Sequence, residues 1–248
     1  MSESDERPVA LVTGASRGIG AATANQLAET GYDVVLAARE SPALATAAEQ
    51  VRARGARAVA VPTDVGEPAA IEALVGTIGE RFGRLDAVIV NAGTGEPRDV
   101  PLEKLALEDY RQVVHTNVDG AFLTTRAVLP ALRAAEGALV YVGSYMAVYP
   151  NTSTPVYAAS KWWLRGFAHS VAGRVGPDGV TVSLINPSGV PTNFGADLRE
   201  QANDERLDAA EELSADQVAE SIGFAVETAA PGAVAELNLF RQDIFERF

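Results

Sequence analysis

Short runs rich in valine, isoleucine, leucine and alanine recur along the chain, and longer stretches with helical spacing separate them. The runs do not alternate strictly between apolar and polar residues, which is typical of strands buried on both faces of a parallel sheet. We predict strands at 8–14, 33–39, 57–64, 86–93, 138–144, 180–187 and 233–239. Helices are predicted between them, at 18–30, 41–54, 68–82, 103–133, 156–174 and 214–228.

This regular βα order predicts the fold class. Strands that alternate with helices form parallel sheets through right-handed crossovers, so we expect an α/β, Rossmann-like, doubly wound domain. Its seven-stranded parallel sheet is flanked by helices on both faces. No internal repeat or low-complexity linker divides the 248 residues, so we predict one domain over 1–248. An acidic, weakly apolar stretch at 191–212 interrupts the pattern, and we expect a substrate loop at about 188–212.

Composition narrows the classes of partner. The 33 acidic and 20 basic residues leave a net charge of −13, which repels nucleic acid and anionic membranes, so we expect neither as a partner. The chain has no cysteine, which excludes disulfides and thiolate metal sites, and we predict no metal site. The acidic N-terminus has no apolar core like that of a signal peptide, and we expect a cytoplasmic protein. Abundant acid with few lysines suits a high-salt host or reflects a GC-rich genome.

A glycine-rich turn follows the first predicted strand. The sequence TGASRGIG, residues 13–20, places glycines at 14, 18 and 20 in the spacing GxxxGxG and then enters a helix. Glycines here let the backbone approach a pyrophosphate, which the helix N-terminus attracts. The other interpretation is a tight turn with no ligand. We predict a dinucleotide cradle with contacts from Gly14, Ser16, Arg17, Gly18, Ile19 and Gly20.

The end of the second strand bears on the choice between NADP(H) and NAD(H). A carboxylate at this point would bind a ribose 2′-hydroxyl, but the chain has Ala38 and Arg39 instead. Arg39 and Arg17 are suited to a 2′-phosphate, so we predict that NADP(H) is preferred and that NAD(H) is the lesser cofactor. Asp64, after the third strand, is a candidate acceptor for the adenine amino group, or else it forms an Asx turn.

The segment VYAASKWWLRGF, residues 156–167, carries the candidate chemistry. Tyr157 and Lys161 are four residues apart and share one face of a helix. An ammonium beside a phenol favours the phenolate and lowers the pKa of the tyrosine, which then serves as general acid or base. Ser144 ends the fifth predicted strand, at the edge where open α/β sheets bind ligands, and its hydroxyl is placed to hydrogen-bond a substrate oxygen.

Taken together, these motifs resemble the classical short-chain dehydrogenase/reductase family along nearly the whole chain. NAG at Asn91–Gly93 is similar to its fourth-strand motif, and Asn117 in HTNVDGAF falls at its catalytic asparagine. The resemblance implies that Tyr157 donates the proton, Ser144 positions the carbonyl, Lys161 holds the nicotinamide ribose, and Asn117 anchors a water relay. It also implies cofactor contacts from Asp64, Val65, Asn91, Ala92, Gly93, Tyr157, Lys161, Pro187, Val190 and Thr192.

Two departures from the family pattern stand out. Pro187 is followed by Ser188 where the family usually has glycine, which puts the local backbone in doubt. Trp162 and Trp163 follow Lys161 where small residues are usual; we interpret them as helix-face packing or a subunit contact. The resemblance implies a homo-oligomer, a tetramer or a dimer, formed through the helices near 103–133 and 156–174.

The predicted function is NADP(H)-dependent reduction of a carbonyl group (a ketone, an aldehyde or a 3-oxo acid) to an alcohol, or the reverse. Apolar or aromatic candidates for the pocket are Tyr145, Met146, Tyr149 and Phe194. One alternative is a 3-oxoacyl-carrier-protein reductase, although the chain lacks the glycine-rich ending typical of them; its acidity disfavours an acidic carrier unless arginines 126, 133 and 165 form a docking patch. The other is a catalytically silent NADP-binding regulator, a class that usually loses part of the Tyr/Lys pair.

Overall fold

A parallel sheet of seven strands lies at the centre of the computed structural model, which describes residues 7–192, 194–195, 212–228 and 230–242. The strands are β1 (Val9–Thr13), β2 (Asp33–Ala38), β3 (Ala58–Pro62), β4 (Ala87–Val90), β5 (Ala138–Val142), β6 (Thr181–Pro187) and β7 (Glu236–Leu239). Their order across the sheet is β3-β2-β1-β4-β5-β6-β7, and every neighbouring pair is parallel. The predicted doubly wound fold is therefore confirmed.

Helices cover both faces of the sheet. They are α1 (Gly18–Glu29), α2 (Pro42–Ala53), α3 (Pro68–Phe82), α4 (Leu107–Val113), α5 (Gly120–Ala135), α6 (Pro155–Val175) and α7 (Ala215–Glu227). On one face Leu27, Leu44 and Ile222, from α1, α2 and α7, pack in a single apolar core. On the other face residues of α3, α5 and α6 form a second core, which includes Leu74 and Leu132. Because both faces are buried, the strands are apolar without alternation.

The order of the strands places a crevice at the carboxyl edge of the sheet. The chain leaves β1 towards β2 and β3 on one side, then crosses to β4, which pairs with β1 on the other side. Loops after β1 and β4 therefore diverge at this switch point, where open α/β sheets bind their ligands. The loops that carry the glycine turn, the NAG motif and Ser144 all leave the sheet at this edge.

One predicted helix is wrong in an informative way. The stretch 103–133 was predicted as continuous, but it contains a 3₁₀ turn at Leu102–Lys104, helix α4, a π-helical segment at Val114–Asp119, and helix α5. The π-helical segment carries Asn117, which is 4% exposed and hydrogen-bonded to two other parts of the chain. Wide turns of this kind occur mostly inside helices and frequently at functional sites. Hydrophobic periodicity alone does not reveal such a turn.

The remaining elements agree closely with their predicted positions, although several strands end earlier. β4 ends at Val90, so the NAG motif lies in a loop and not on the strand. Ser214 and Gln217 form a capping box at the start of α7, where a helix start is predicted. Of the predicted substrate loop at 188–212, residues 193 and 196–211 lie outside the described residues. Across the parts of the chain that the structure describes, no helix is both long and apolar enough to cross a membrane.

Candidate active site

The turn between β1 and α1 lies against the loop that follows β4. Gly14 has φ +66°, and a Cβ atom there would be 2.8 Å from the Cα of Ala92. A Cβ atom at Gly20 would collide with the carbonyl oxygen of Gly14 and lie 2.6 Å from the Nδ2 of Asn91. The turn therefore depends on glycine for close backbone packing as well as for its conformation.

Asn91 and Thr13 hold these two loops together. The carboxamide of Asn91 donates to the carbonyl oxygens of Thr13 and Gly14, at 2.9 and 3.2 Å. The buried hydroxyl of Thr13 accepts from the backbone N–H groups of Asn91 and Ala92, at 3.0 and 3.1 Å. Asn91, which was predicted as a cofactor contact, thus has its amide nitrogen turned to the glycine turn, whose shape it fixes.

The start of α1 fits the phosphates of a dinucleotide. Arg17 is its N-cap residue and gives no side-chain cap, and the first turn contains no acidic residue that would neutralise the positive end of the helix. A Cβ atom at Gly18 would lie 3.0 Å from the Cγ2 of Thr192, so Thr192 borders the same turn. Ile19 and Val190 pack into the core beneath, while Ser16 is half-buried. Thr192, Ile19 and Val190, which are predicted to contact the cofactor, thus lie around the start of α1.

Gly93 lies next to two polar atoms of the predicted catalytic residues. A Cβ atom at this position would lie 3.5 Å from the Oδ1 of Asn117 and 3.8 Å from the Nζ of Lys161. Gly93 therefore lies beside both polar atoms, of which the Oδ1 of Asn117 accepts from Thr94 and the Nζ of Lys161 donates to the carbonyl oxygen of Val142. Pro187, which ends β6, lies one strand beyond Ser144 at the same edge.

The residues predicted for the adenine end lie on the β1–β3 half of the edge. Arg17 and Arg39 are exposed and follow adjacent strands, and the acidic Glu40 comes directly after Arg39. Asp64 forms the Asx turn, because its Oδ1 accepts from the N–H of Gly66 at 3.0 Å; the same oxygen is 3.3 Å from the Nε2 of His115. Val65 is buried against Gly120 at the start of α5, which places it in the packing beneath the site.

Lys161 lies buried beneath Tyr157. The residue is only 5% exposed. Its Nζ donates to the carbonyl oxygen of Val142 at 2.9 Å and lies 5.6 Å from the centroid of the Tyr157 ring. Burial disfavours the charged form and lowers the pKa of Lys161 to about 8. The ammonium is therefore still largely protonated at pH 7, next to a half-buried phenol.

The end of β5 presents Ser144 to the same crevice. Its backbone N–H donates to the Oδ1 of Asn186 at 3.2 Å, and its hydroxyl oxygen accepts from the N–H of Met146 at 3.2 Å. A hydroxyl that accepts one bond through a lone pair still has its hydrogen, which can donate to a substrate oxygen. Asn186 is fully buried and also donates to Glu236 and Asn238, so a side chain that the sequence patterns do not point to fixes the backbone of Ser144.

Asn117 joins the NAG loop to α6. Its Oδ1 accepts from the N–H of Thr94 at 2.8 Å, and its Nδ2 donates to the carbonyl oxygen of Thr94 and the hydroxyl of Ser160, both at 2.9 Å. Ser160 in turn donates to the carbonyl oxygen of Tyr157 at 2.7 Å. The structure thus brings the four predicted catalytic positions, Asn117, Ser144, Tyr157 and Lys161, to one place at the carboxyl edge.

Aromatic side chains pack next to Tyr157 and along helix α6. Phe194 lies 5.6 Å from the ring of Tyr157, centroid to centroid, and Met146 is buried beneath Ser144's turn. Tyr149 packs against Phe240 at 6.3 Å. Trp163, which is 36% exposed, stacks on Phe167 at 4.8 Å along α6.

Two further expectations concern charged groups. Within the described residues there is no group of three or more histidines and carboxylates that could hold a metal ion.

Of the three arginines considered as a carrier docking patch, Arg133 pairs with Asp178 at 2.7 Å and Arg165 with Glu236 at 2.9 Å. Burial raises the pKa of Glu236, but its hydrogen bonds with Arg165 and His169 outweigh that effect and lower it. Both arginines are therefore partly neutralised.

Comparison with known proteins agrees with the family resemblance of the sequence motifs. The family model for short chain dehydrogenases matches residues 8–203. The 3-oxoacyl-[acyl-carrier-protein] reductase of Synechocystis is 36% identical over 192 residues, which is 77% of each chain.

Two solved structures are similar over nearly their full length. An alcohol dehydrogenase from Thermococcus sibiricus, complexed with 5-hydroxy-NADP, has a TM-score of 0.85 and 29% identity and covers 96% of this chain and 97% of its own. The 3-ketoacyl-(acyl-carrier-protein) reductase from Brucella melitensis, complexed with NADH, has a TM-score of 0.85 and 25% identity, with coverage of 95% and 97%.

Proposed function

The chain belongs to the short-chain dehydrogenase family, and from this premise we propose that it is an NADP(H)-dependent oxidoreductase that reduces a carbonyl group to an alcohol, or catalyses the reverse. The observation that carries the proposal is the buried Lys161 ammonium, 5.6 Å from the ring of Tyr157 and facing the same crevice as Ser144. A buried charge is costly, and its placement beside a phenol is what general acid catalysis by tyrosine requires.

The chemistry divides among three side chains. Ser144 donates its hydroxyl hydrogen to the carbonyl oxygen, and Tyr157 gives that oxygen its proton as negative charge develops there. Lys161 stabilises the phenolate that Tyr157 leaves. The nicotinamide dinucleotide, when bound, supplies the hydride. In the oxidation direction Tyr157 takes the proton from the alcohol, so the same residue acts as general base.

Asn117 contributes to proton transfer through its main-chain carbonyl and not through its side chain. Its side-chain oxygen and both amide hydrogens are already engaged by Thr94 and Ser160. We therefore assign the water relay that the family resemblance implies to the main-chain carbonyl in the π-helical segment, with the side chain holding the segment in place. Protons then pass by way of Lys161 to Tyr157.

The preference for NADP(H) rests on the charges at the adenine end. Arg17 and Arg39 are both exposed after neighbouring strands, and no carboxylate occupies positions 38 and 39 to bind a ribose hydroxyl. The similar structures named above hold an NADP derivative in one case and NADH in the other, so they support a nicotinamide dinucleotide in general. Asp64 and the backbone beside Val65 would border the adenine.

The substrate we favour is a small uncharged carbonyl compound. Phe194 lies 5.6 Å from the ring of Tyr157, and Met146 is buried beneath the turn that follows Ser144, so the surroundings of the site include apolar and aromatic side chains. The second candidate is a 3-oxoacyl group on a carrier protein, which the 36% identity to the Synechocystis reductase favours. Against it stand the net charge of −13 and the pairing of Arg133 and Arg165 with carboxylates, which weakens a docking patch for an acidic carrier. The complete Tyr/Lys pair disfavours a silent regulator.

We also propose that the chain forms a homo-oligomer through the outer face of α5 and α6. Phe122, Trp162 and Trp163 are 46%, 47% and 36% exposed there, an unusual amount of aromatic surface for one face. A tetramer or a dimer would cover it. A cytoplasmic location stays a prediction.

The test is NADPH oxidation with a panel of ketones, aldehydes and 3-oxoacyl thioesters. We expect turnover of at least one free carbonyl compound, and a loss of about 10²–10⁴-fold in Tyr157→Phe, which retains the ring but has no proton to give. NADPH affinity in the variant should stay within about twofold. Binding of NADPH without turnover of any compound would favour the regulator, and equal rates for both proteins would refute general acid catalysis by Tyr157.

A further inference from the structure

Glu96 is a buried carboxylate that the proposed chemistry leaves without a role. The residue is 1% exposed, although it lies in the loop only three residues after the NAG motif. Its two oxygens accept from the backbone N–H groups of Val156 and Tyr157, at 2.7 and 2.8 Å. A carboxylate sixty residues away in sequence therefore binds the backbone of the candidate general acid itself.

The start of α6 explains why a distant carboxylate is needed. Pro155 is its first residue and has no N–H, so Val156 and Tyr157 present the first unsatisfied donors of the helix. Thr154, at the N-cap, gives no side-chain cap: its hydroxyl donates to the Oδ1 of Asn151 at 3.1 Å. The first bond within the helix runs from Ala158 to the carbonyl of Thr154. Glu96 thus replaces the missing cap, and its charge suits the positive end of the helix.

The loop that carries Glu96 is anchored to the cofactor side of the crevice. Asn91, at its beginning, is bonded to the glycine turn, and Thr94 is bonded through both its backbone groups to Asn117. Residues 91–96 therefore run from the dinucleotide cradle to the backbone of Tyr157 with a hydrogen-bonded attachment at each stage. The position of the phenol relative to the cradle depends on this loop.

We propose that Glu96 is a positioning residue that sets the reach of Tyr157 to the substrate oxygen by capping α6 from the NAG loop. The inference rests on the proposed function, in which Tyr157 is the general acid or base. A displacement of about 1 Å of a catalytic group can cost about 100-fold in rate, so a cap on the residue's own N–H has a kinetic effect beyond its effect on stability.

The decisive comparison is between this cap and a cap remote from the site. Ser214 caps α7 through its hydroxyl, which accepts from Gln217 at 3.1 Å, and it serves as the matched control. Glu96→Ala removes both acceptors, Glu96→Gln keeps one oxygen and removes the charge, and Ser214→Ala removes the remote cap. Circular dichroism and thermal unfolding report stability, while kcat, KM for the carbonyl compound and the Kd for NADPH report function below the unfolding temperature.

We expect a loss in kcat of about 100-fold for Glu96→Ala and about tenfold for Glu96→Gln, with KM and the NADPH Kd within about twofold. Ser214→Ala should lower the unfolding temperature while kcat stays within about twofold of the wild type. In Glu96→Gln the high-pH limb of the carbonyl-reduction profile should move to lower pH, because the loss of a nearby negative charge favours the phenolate.

A purely stabilising cap gives a different pattern. If Glu96→Ala and Glu96→Gln lower the unfolding temperature as Ser214→Ala does, but keep kcat within twofold and leave the pH profile in place, the inference is overturned. If Glu96→Ala does not fold, the kcat and pH profile of Glu96→Gln decide. Failure of the proposed function is separately visible, because Tyr157→Phe would then retain the activity of the wild type.

Discussion

The two halves of the crevice are built on opposite principles. On the β1 side, the glycine turn works through missing side chains, since a Cβ atom at Gly14 or Gly20 would meet the backbone or Asn91. On the β5 and β6 side, the site works through polar side chains that are present and almost completely buried, among them Lys161, Asn117 and Asn186. The first half is sensitive to any added atom, whereas the second is sensitive to any removed polar group.

This difference has energetic consequences. A glycine turn costs backbone entropy on folding but buries no charge. A buried lysine costs desolvation free energy, and this cost is the cause of the lowering of its pKa to about 8. We therefore expect substitutions in the second half to separate stability from activity, and substitutions in the first half to reduce cofactor binding and stability together.

The largest effect is predicted for Lys161→Met. We expect a loss of activity of about 1000-fold or more, because nothing then stabilises the phenolate of Tyr157. The variant should nevertheless be more stable than the wild type at pH 7 by about 2 kcal/mol, since removing a buried ammonium outweighs the lost bond to Val142. Urea unfolding and steady-state kinetics measure the two effects.

The pH dependence of that stability difference follows from the sign of the pKa shift. The pKa of Lys161 is lowered from 10.5 to about 8, so protonation favours the unfolded chain and the wild type gains stability as pH rises from about 8 towards 10.5. The advantage of Lys161→Met should be complete below pH 8 and shrink above it. Lys161→Arg is the control for charge alone; near-normal turnover in that variant would show that the compact ammonium is dispensable.

The next effect in size is predicted for Gly20→Ala. Its Cβ atom would collide with the carbonyl oxygen of Gly14 and press on Asn91, so we expect NADPH affinity to fall about 100-fold, together with some loss of stability. The control is Gly79→Ala, within the exposed face of α3, where a Cβ atom meets nothing within 4 Å. That substitution should stabilise the protein by about 0.5–1 kcal/mol and leave binding unchanged.

Fluorescence titration with NADPH measures both variants. Unchanged affinity in Gly20→Ala would mean that the turn can shift without cost, and the contrast between the two halves of the crevice would then lose its basis. A loss of kcat with normal NADPH affinity would also contradict it, because the turn would then be acting on the chemistry and not on the cofactor.

Local patterns were enough to predict most of the fold. The strands are apolar without alternation, the glycines follow β1 at once, and Tyr157 and Lys161 are one helical turn apart, so each signal lies within a few residues of its consequence. The elements at Gly18–Glu29 and Pro155–Val175 accordingly lie within one residue of their predicted bounds. The position of Ser144 was predictable for the same reason, because it follows a strand whose carboxyl end lies at the edge where open α/β sheets bind ligands.

The parts that could not be predicted depend on partners far apart in sequence. Glu96 caps a helix sixty residues later, and Asn186 fixes the backbone of Ser144 from a neighbouring strand. The π-helical segment at Val114–Asp119 interrupts an apolar pattern that a continuous helix would also produce. In each case the determining fact is a tertiary hydrogen bond to a buried polar group, which no periodicity encodes.

The smallest predicted effect lies at the rim of the first half, where charge and not packing determines the preference between NADPH and NADH. In Arg39→Asp a carboxylate replaces the exposed cation after β2, so we expect NADPH affinity to fall about tenfold and NADH affinity to rise a few-fold. Arg81→Asp, an exposed substitution in the last turn of α3, makes the same change of charge at the opposite edge of the sheet and should leave the ratio of the two Kd values within about twofold. Titrations at low and high salt separate a specific contact from the field of the whole protein, which salt screens. Equal ratios in both variants would show that Arg39 does not contact the 2′-phosphate, and would restrict the charge-based part of the cradle to Arg17.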